Sequence, residues 1–243
     1  MLNNLSTLKI ARYYLQILLF LLISHIQIAH ADILSSNQAV YRIKYDGVTI
    51  GKSTVILKTL PPNHYVLSIS DQPSLPFLSG YVLESSTGIW SGKQSLPLHY
   101  FYNYHYFTKK RQIELNFNWH NKNVITNVNG KPWTMPVIVG TQDKLSYELQ
   151  LRQDLLNNKN IFSYPVADGG KIKYYQFKII GHEIITTPLG TFNTIKIIRL
   201  PMPEKENLTL WIAKQLNYQI VQIEQTKHIM DYGVAEIISY KQI

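Results

Sequence analysis

The sequence predicts a mainly β fold, an antiparallel barrel or a strongly curved half-barrel sheet, with one helix packed on it. Three observations favour this fold class. Short runs with strand-like alternation follow one another closely, tight-turn dipeptides separate several of them, and 17 of the 243 residues are tyrosine. Aromatic residues are favoured in strands, and many short strands joined by tight turns are typical of antiparallel barrels and curved sheets.

The strand-like runs occupy most of the chain after residue 39. No repeat or long linker divides them, so residues 32–243 are expected to form a single β-rich domain. The runs cover residues 40–45, 48–60, 65–70, 81–90, 98–107, 111–119, 124–128, 171–180, 182–187, 192–200, 208–213, 218–225 and 234–240.

Turn residues mark the ends of several runs. Asp46-Gly47 and Asn129-Gly130 supply the positive φ angles of tight hairpins, and Asp168-Gly169-Gly170 has the composition of a third hairpin turn. Pro61-Pro62 ends another run, because proline has no N–H to donate to a strand ladder.

One segment, residues 142–157, has the pattern of a helix. Thr141 is a candidate N-cap and Asp143 would lie in the first turn, where the helix dipole favours negative charge. The same residues also alternate over 145–151, which leaves a strand as the alternative; length and the content of Glu, Gln and Leu favour the helix. The apolar face of this helix is formed by Leu145, Tyr147, Leu149, Leu151, Leu155 and Leu156.

The first 31 residues have the features of a secretory signal peptide. Lys9 and Arg12 form a positive n-region, residues 13–23 are almost entirely apolar, and Ala29-His30-Ala31 is a small-x-small cleavage site. The apolar run is shorter than the roughly 20 residues needed to span a bilayer. We therefore expect an exported protein whose mature chain begins at Asp32 and contains no transmembrane helix.

Charge gives little further information about partners. Loss of Lys9 and Arg12 with the signal peptide would lower the formal charge from +9 to +7. The remaining lysines are scattered, with Lys109-Lys110-Arg111 the one basic triplet, near an expected hairpin tip. Nucleic acid is not an expected partner of an exported protein.

The hairpin over residues 98–119 carries a row of four tyrosines. They lie at alternate positions and therefore on one strand face, and an even-numbered loop around Lys109-Lys110 would bring that face beside the apolar face of the next strand. His105 would then face Glu114. The predicted cross-strand pairs are Tyr106 with Ile113, Tyr104 with Leu115, Tyr102 with Phe117, and Tyr100 with Trp119.

This tyrosine face has two interpretations. The first is a sheet core whose hydroxyls reach a rim or water. The second is the lining of a cavity for an elongated, largely apolar ligand, in which the hydroxyls would hold a polar head. The residues that would line such a cavity are Tyr100, Tyr102, Tyr104, Tyr106, Phe117 and Trp119.

Residues for catalysis or metal binding do not form a recognisable pattern. The chain has no cysteine, which excludes thiol nucleophiles, disulfides and Cys-ligated metal centres. His99 and His105 are about 20 Å apart along one strand, too far to share a metal ion. The sequence contains no HExxH, Walker-type loop or GxSxG elbow. No metal or cofactor is expected, and enzymatic activity is uncertain, with a periplasmic hydrolase as the alternative.

Several turn and core motifs occur along the chain: Tyr45-Asp46-Gly47-Val48-Thr49-Ile50-Gly51, Gln142-Asp143-Lys144-Leu145-Ser146-Tyr147, Leu151-Arg152, Asp168-Gly169, Gly181-His182-Glu183, Thr187-Pro188-Leu189-Gly190-Thr191-Phe192 and Leu210-Trp211-Ile212-Ala213. These motifs resemble those of the exported bacterial family catalogued as a domain of unknown function, number 3108. The resemblance implies an antiparallel β-rich envelope protein of Gram-negative bacteria without an assigned activity, and it transfers no functional residue.

These observations favour a non-enzymatic periplasmic protein that binds an apolar or lipid-like ligand or an outer-membrane partner. An outer-membrane β-barrel is the second hypothesis. Frequent charges in the alternating pattern, an interrupting helix and the lack of a terminal aromatic residue speak against it.

Overall fold

The structure, a computed structural model, describes residues 33–75, 80–201, 207–226 and 232–243. The predicted signal peptide, residues 1–31, lies outside these ranges. The strands are β1 Asn37–Tyr45, β2 Val48–Leu60, β3 His64–Pro73, β4 Gly80–Trp90, β5 Ser95–Tyr106, β6 Lys109–Asn118, β7 Asn123–Val128, β8 Lys131–Pro136, β9 Ile161–Asp168, β10 Lys171–Thr187, β11 Gly190–Leu200, β12 Asn207–Ala213, β13 Gln219–Thr226 and β14 Tyr232–Gln242. Helix α1 spans Ser146–Leu156, and a 3-10 turn spans Lys214–Leu216.

The fourteen described strands form one antiparallel sheet, in the order β8-β7-β6-β5-β4-β3-β2-β1-β14-β13-β12-β11-β10-β9. Each strand pairs with its neighbours in sequence, except that β1 pairs with β14 and thereby joins the two halves of the chain. The described edge strands β8 and β9 do not pair with each other, so the sheet is not closed. The predicted fold class, a mainly β curved sheet with one helix, is confirmed.

Two strands were not predicted, and both are edge strands of the described sheet. β8 contains Pro132 and Pro136, and β9 contains Pro165. Proline interrupts the strand pattern of a sequence, but an edge strand accepts it because one row of its N–H groups needs no partner in the sheet. The predicted runs 171–180 and 182–187 are one strand, β10, with a register shift between Ile179 and Gly181.

The predicted hairpin turns are confirmed at all three positions. Asp46 and Gly47 have φ angles of 45° and 79°, and Asn129 and Gly130 have φ angles of 51° and 84°. Asp168 ends β9 and the two following glycines connect it to β10. Positive φ at both central residues matches the right-handed twist of the flanking strands.

The turn at Gly130 gives a direct test of backbone strain. A Cβ at this position would meet no atom within 4 Å, so a larger residue has space but the wrong backbone preference. We expect Gly130→Val to lower the free energy of unfolding by about 1 kcal/mol or more, because a β-branched residue resists positive φ. Gly181→Val is the matched control, since Gly181 also has open space around it and has no positive φ. Equal urea midpoints for the two variants would contradict this explanation.

Helix α1 begins later than predicted. Thr141 is not its N-cap: its hydroxyl donates to the Ile138 carbonyl in the preceding loop at 2.7 Å. Asp143 instead accepts hydrogen bonds from the backbone N–H groups of Leu145 and Ser146, at 2.8 and 2.7 Å. Asp143 therefore lies before the helix and satisfies its first donors, whereas the strand alternative for 145–151 is wrong.

The helix lies against the inner, concave face of the sheet and contributes to two apolar clusters. Tyr147, Leu151 and Leu155 pack with residues of β9–β13, among them Phe162 and Phe177. On the other side of the helix, leucines pack with residues of β2–β8; the buried members there include Leu145, Leu149, Leu57, Leu67, Tyr100, Leu115 and Phe117. The predicted apolar face of the helix is thus buried on both sides.

The tyrosine hairpin has a different register from the predicted one. Its turn is the dipeptide Phe107-Thr108, two residues before a turn at Lys109-Lys110, so each β5 residue pairs with a β6 residue four positions earlier than predicted. The loop is even-numbered as predicted, which keeps the tyrosines on the inner face together with Ile113 and Leu115. The observed pairs are Tyr106 with Lys109, Tyr104 with Arg111, Tyr102 with Ile113, and Tyr100 with Leu115.

Candidate ligand-binding cavity

A cavity of about 300 Å³ lies inside the curved sheet, between β1–β4, β13, β14 and helix α1. Its inner end is formed by the buried side chains of Tyr41 and Gln219, and exposed Gln225 lies at its rim. The aliphatic part of the wall comprises Ile43, Val55, Ile69, Ile220, Ile223, Val234 and Ala235. The cavity is therefore a mostly apolar space with an opening to solvent.

Three carboxylic acids also line this space: Asp71, Glu84 and Glu148. Strand register explains the first two. Asp71 on β3 lies opposite Ser53 of β2, and Glu84 on β4 lies opposite Ile69 of β3, so all four side chains point to the inner face. Glu148 reaches the same space from the first turn of α1.

Glu84 is held by a tyrosine and is difficult to ionise. The Tyr100 hydroxyl donates to Glu84 Oε1 at 2.6 Å. Burial is the main cause that raises the pKa of Glu84 to about 7, opposed by Tyr100 and the charge of Lys144. The charges of Asp143 and Asp71 raise this pKa further.

The pKa of Glu148 is raised more strongly than that of Glu84. Burial raises the pKa of this carboxyl to about 8, and the charge of Glu84 acts in the same direction. Arg152, one helical turn later, lowers it. The Arg152 guanidinium nevertheless donates its hydrogen bonds elsewhere, from Nε and Nη2 to the Asn217 carbonyl at 3.2 and 2.8 Å. Among the described residues, no cation lies within ion-pair distance of Glu84 or Glu148.

Two acceptor atoms of cavity residues lack a hydrogen-bond partner within the described part of the chain. They are Asp71 Oδ1 and Gln219 Oε1. Gln219 is only 6% exposed, and its Nε2 donates to the Tyr41 hydroxyl at 2.8 Å, which fixes the amide orientation. Tyr41 in turn donates to the Ile220 carbonyl at 2.6 Å. Burial raises the pKa of Asp71, against the hydrogen bond from Ser53.

The six residues predicted to line a ligand cavity lie on the same inner face but mostly outside this space. Tyr100 is 1% exposed and reaches the cavity through its bond to Glu84. Tyr102 is half-buried and lies directly opposite Glu84 on the neighbouring strand. The rings of Tyr104 and Tyr106 lie 5.3 Å apart, farther along the strand.

The remaining two predicted residues pack away from the cavity. Phe117 is buried, its ring stacks on Trp119 at 5.7 Å, and the Trp119 indole N–H donates to the Pro97 carbonyl at 2.7 Å. Both contact the apolar cluster of β2–β8. A ligand-lining role for the six residues stays a prediction.

The Gln142–Tyr147 motif connects the helix to the sheet. The Gln142 backbone exchanges hydrogen bonds with edge strand β9 at Pro165 and Ala167, and its side chain donates to the Ser95 carbonyl at 2.9 Å. Ser86 of β4 donates to Asp143 Oδ2 at 2.6 Å. This motif therefore ties the helix start to β4, β5 and β9, which fixes where Glu148 enters the cavity.

A match to a family model decides the identity of the chain at family level. The family model described as "Protein of unknown function (DUF3108)" matches residues 40–236. The chain belongs to this family. The match confirms the resemblance seen in the turn and helix motifs.

Among the solved structures similar to this DUF3108 protein, one from Brucella abortus supports the fold and nothing beyond it. A beta-barrel-like protein of domain of unknown function DUF1849 from Brucella abortus is 9% identical with a TM-score of 0.60, covering 86% of this chain and 98% of that one. A protein from Bacteroides fragilis, described as exported with a YmcC-like fold, is 12% identical with a TM-score of 0.32, covering 86% and 96%. Comparison with curated proteins gives no match. In the described ranges, no helix combines the length and apolarity that crossing a bilayer requires.

The histidines of this DUF3108 protein lie away from the cavity wall wherever the structure describes them. His99 Nε2 lies 3.0 Å from Glu114 Oε1, so the predicted pairing of His105 with Glu114 is wrong. His105 Nε2 instead lies 3.1 Å from the Phe107 carbonyl. His228 is outside the described residues. Within the described ranges, no three His, Asp or Glu side chains are grouped to hold a metal ion.

Sequence reasoning missed the three acids of the cavity and its buried amide. Asp71, Glu84 and Gln219 each occupy an inner-face position of a strand, and Glu148 lies on the helix between two buried residues. Glu84 shares its strand face with Val82 and Ser86, which form no clear apolar alternation. A single charged residue in a strand is usually on the solvent side, so the local pattern does not indicate a buried acid here.

Proposed function

We propose that this DUF3108 protein is a non-enzymatic exported protein of the periplasm that binds an apolar or lipid-like small molecule in the cavity. The cavity itself carries the proposal: about 300 Å³ with a mostly aliphatic wall and a few polar groups. Small-molecule sites have this composition, and their volumes begin at about 300 Å³. The periplasmic location rests on the predicted signal peptide and on the family resemblance.

The tyrosine face offers a continuation of this site. Tyr102 lies opposite Glu84, and Tyr104 lies opposite Val82, so the inner face continues from the cavity along β5. Both tyrosines are half-buried. An elongated ligand longer than the cavity would extend over these rings, with the hydroxyls available to polar atoms.

The arrangement of side chains favours this function over an outer-membrane barrel. The two apolar clusters that the helix joins are on the inner face. The outer face carries charged groups, for example Arg42 and Lys44 of β1, which both bond to Glu236. A membrane-spanning barrel needs the opposite arrangement, with an apolar band outside.

A serine hydrolase is not favoured by the serine and acid that the fold brings together. Ser86 and Asp143 are bonded at 2.6 Å, but both are fully buried, and Asp143 also accepts the first N–H groups of the helix. No histidine bonds to this pair among the described residues. The pair holds the helix in place and offers no accessible nucleophile.

Filling the cavity tests the proposal. N-phenyl-1-naphthylamine, a neutral apolar dye, should gain fluorescence on binding to the wild-type protein. We expect Ile43→Trp, in the cavity wall, to weaken dye capture at least about tenfold, because the larger ring occupies the binding space. Ile161→Trp is the matched control, because Ile161 is 76% exposed on edge strand β9. Wild-type protein that captures no dye would contradict the proposed function.

A further inference from the structure

In the described ranges, the charged residues of the cavity wall are all acidic. The lining residues in the described ranges include Asp71, Glu84 and Glu148 but neither lysine nor arginine. Two cations whose charges act on Glu84 and Glu148 are bonded elsewhere: Arg152 donates to Asn217, and Lys144 Nζ lies 3.8 Å from Asp168. The cavity thus presents acids without a cationic partner of its own.

A second, independent feature is the unpartnered amide oxygen of Gln219. Gln219 lines the cavity and is 6% exposed; its Nε2 donates to Tyr41, and its Oε1 is a buried acceptor with no donor among the described residues. Asp71 Oδ1 is likewise a buried acceptor with no donor in the described part of the chain. Buried acceptors without a donor are costly, so turning these two side chains towards the N–H groups of a ligand in the cavity would be favourable.

We propose that the cavity selects amphiphiles with a protonated amine as the polar head, and that the acids and Gln219 hold this head while the aliphatic wall holds the tail. This inference rests on the proposed function. An ammonium group has three N–H donors and a positive charge, so it complements both the unpartnered acceptors and the acids. An alcohol supplies one donor and no charge, and a carboxylate head would be repelled.

The same arrangement makes binding pH-dependent. Glu148 is faced by Glu84, Asp143, Arg152 and Tyr41, of which only Arg152 is a cation. Burial raises the pKa of Glu148 to about 8 and that of Glu84 to about 7.

The groups around Glu84 are Tyr100, Tyr102, Lys144, Asp143 and Asp71. A cationic head binds best when both glutamates are ionised. Its affinity should therefore rise between pH 6 and pH 8.5, a range in which an alkylamine stays protonated.

Three probes with the same alkyl chain test the inference. Dodecylamine, dodecanol and dodecanoate are compared for displacement of N-phenyl-1-naphthylamine from the wild-type protein at pH 8. We expect dodecylamine to displace the dye at about tenfold lower concentration than dodecanol, and dodecanoate to be weakest. The advantage of the amine should shrink at pH 6.

Isosteric variants identify the side chains responsible for the preference for the amine. Glu84→Gln with Glu148→Gln should remove the amine advantage while the dye still binds, and the single Glu148→Gln variant should reduce it. Glu114→Gln is the matched control, because Glu114 bonds to His99 rather than lining the cavity, and it should keep the full advantage.

The outcomes separate this inference from the function on which it rests. Dye captured by wild type but displaced equally by amine and alcohol would overturn the amine selectivity and leave the ligand-binding function standing. An amine advantage that persists in the Glu84→Gln, Glu148→Gln double variant would also overturn the proposed role of the acids and leave the ligand-binding function standing. Failure of wild type to capture the dye would overturn both.

Discussion

Replacing Asp143 with alanine is expected to lower the free energy of unfolding by about 2–4 kcal/mol. The carboxylate accepts hydrogen bonds from two backbone N–H groups at the start of α1 and from the Ser86 hydroxyl, all within 2.8 Å. Loss of an N-cap costs about 0.5–2 kcal/mol, and leaving the buried Ser86 donor without a partner adds about 1–3 kcal/mol. Urea denaturation at pH 8 measures the effect.

A double-mutant cycle with Ser86→Ala separates the two contributions. Because Ser86 bonds to Asp143, the double variant should be less destabilised than the sum of the two single variants. Strict additivity would show that the hydroxyl and the carboxylate act independently, contrary to the 2.6 Å bond. Partly exposed Glu114 on β6 supplies the control, since Glu114→Ala removes a carboxylate without removing a helix contact.

Replacing Glu148 with glutamine is expected to stabilise the unliganded protein at alkaline pH and to have little effect at pH 4. Burial raises the pKa of Glu148 in the folded protein to about 8, well above its ordinary value near 4.5. The folded state therefore favours the protonated acid. Its contribution to stability is complete below about pH 4.5 and is lost as the pH rises through about 8.

Glutamine keeps the shape of the neutral acid and cannot ionise. At pH 9 the variant should exceed wild type by roughly 1–3 kcal/mol in the free energy of unfolding, less than the full shift would give because Glu148 is partly exposed to the cavity. Urea midpoints at pH 4 and pH 9 measure this difference. Glu114→Gln is the control; hydrogen bonding to His99 lowers the pKa of Glu114, so it should show no gain at pH 9. A Glu148→Gln variant no more stable than wild type at pH 9 would show that the acid is well solvated.

Local patterns predicted the features of the fold that depend on a few neighbouring residues. Asp46-Gly47 and Asn129-Gly130 form turns because their φ preferences are local, and alternation places Tyr100 to Tyr106 on one face whatever the register. The register itself was wrong, because Phe107 rather than the basic triplet forms the turn. The local pattern does not distinguish a two-residue turn at Phe107-Thr108 from one at Lys109-Lys110, because both keep the tyrosines on the same face.

The sequence by itself determined the fold class, the hairpin turns and the family, because period-two alternation and the backbone preferences of glycine and asparagine act over a few residues. Tertiary structure alone decided the cavity. Asp71, Glu84, Glu148 and Gln219 lie on four separate elements, and they meet because β1 pairs with β14 and the Gln142–Tyr147 segment ties the helix to the sheet. Contacts between distant segments depend on strand register and helix placement, which are set by packing over the whole domain rather than by any local pattern.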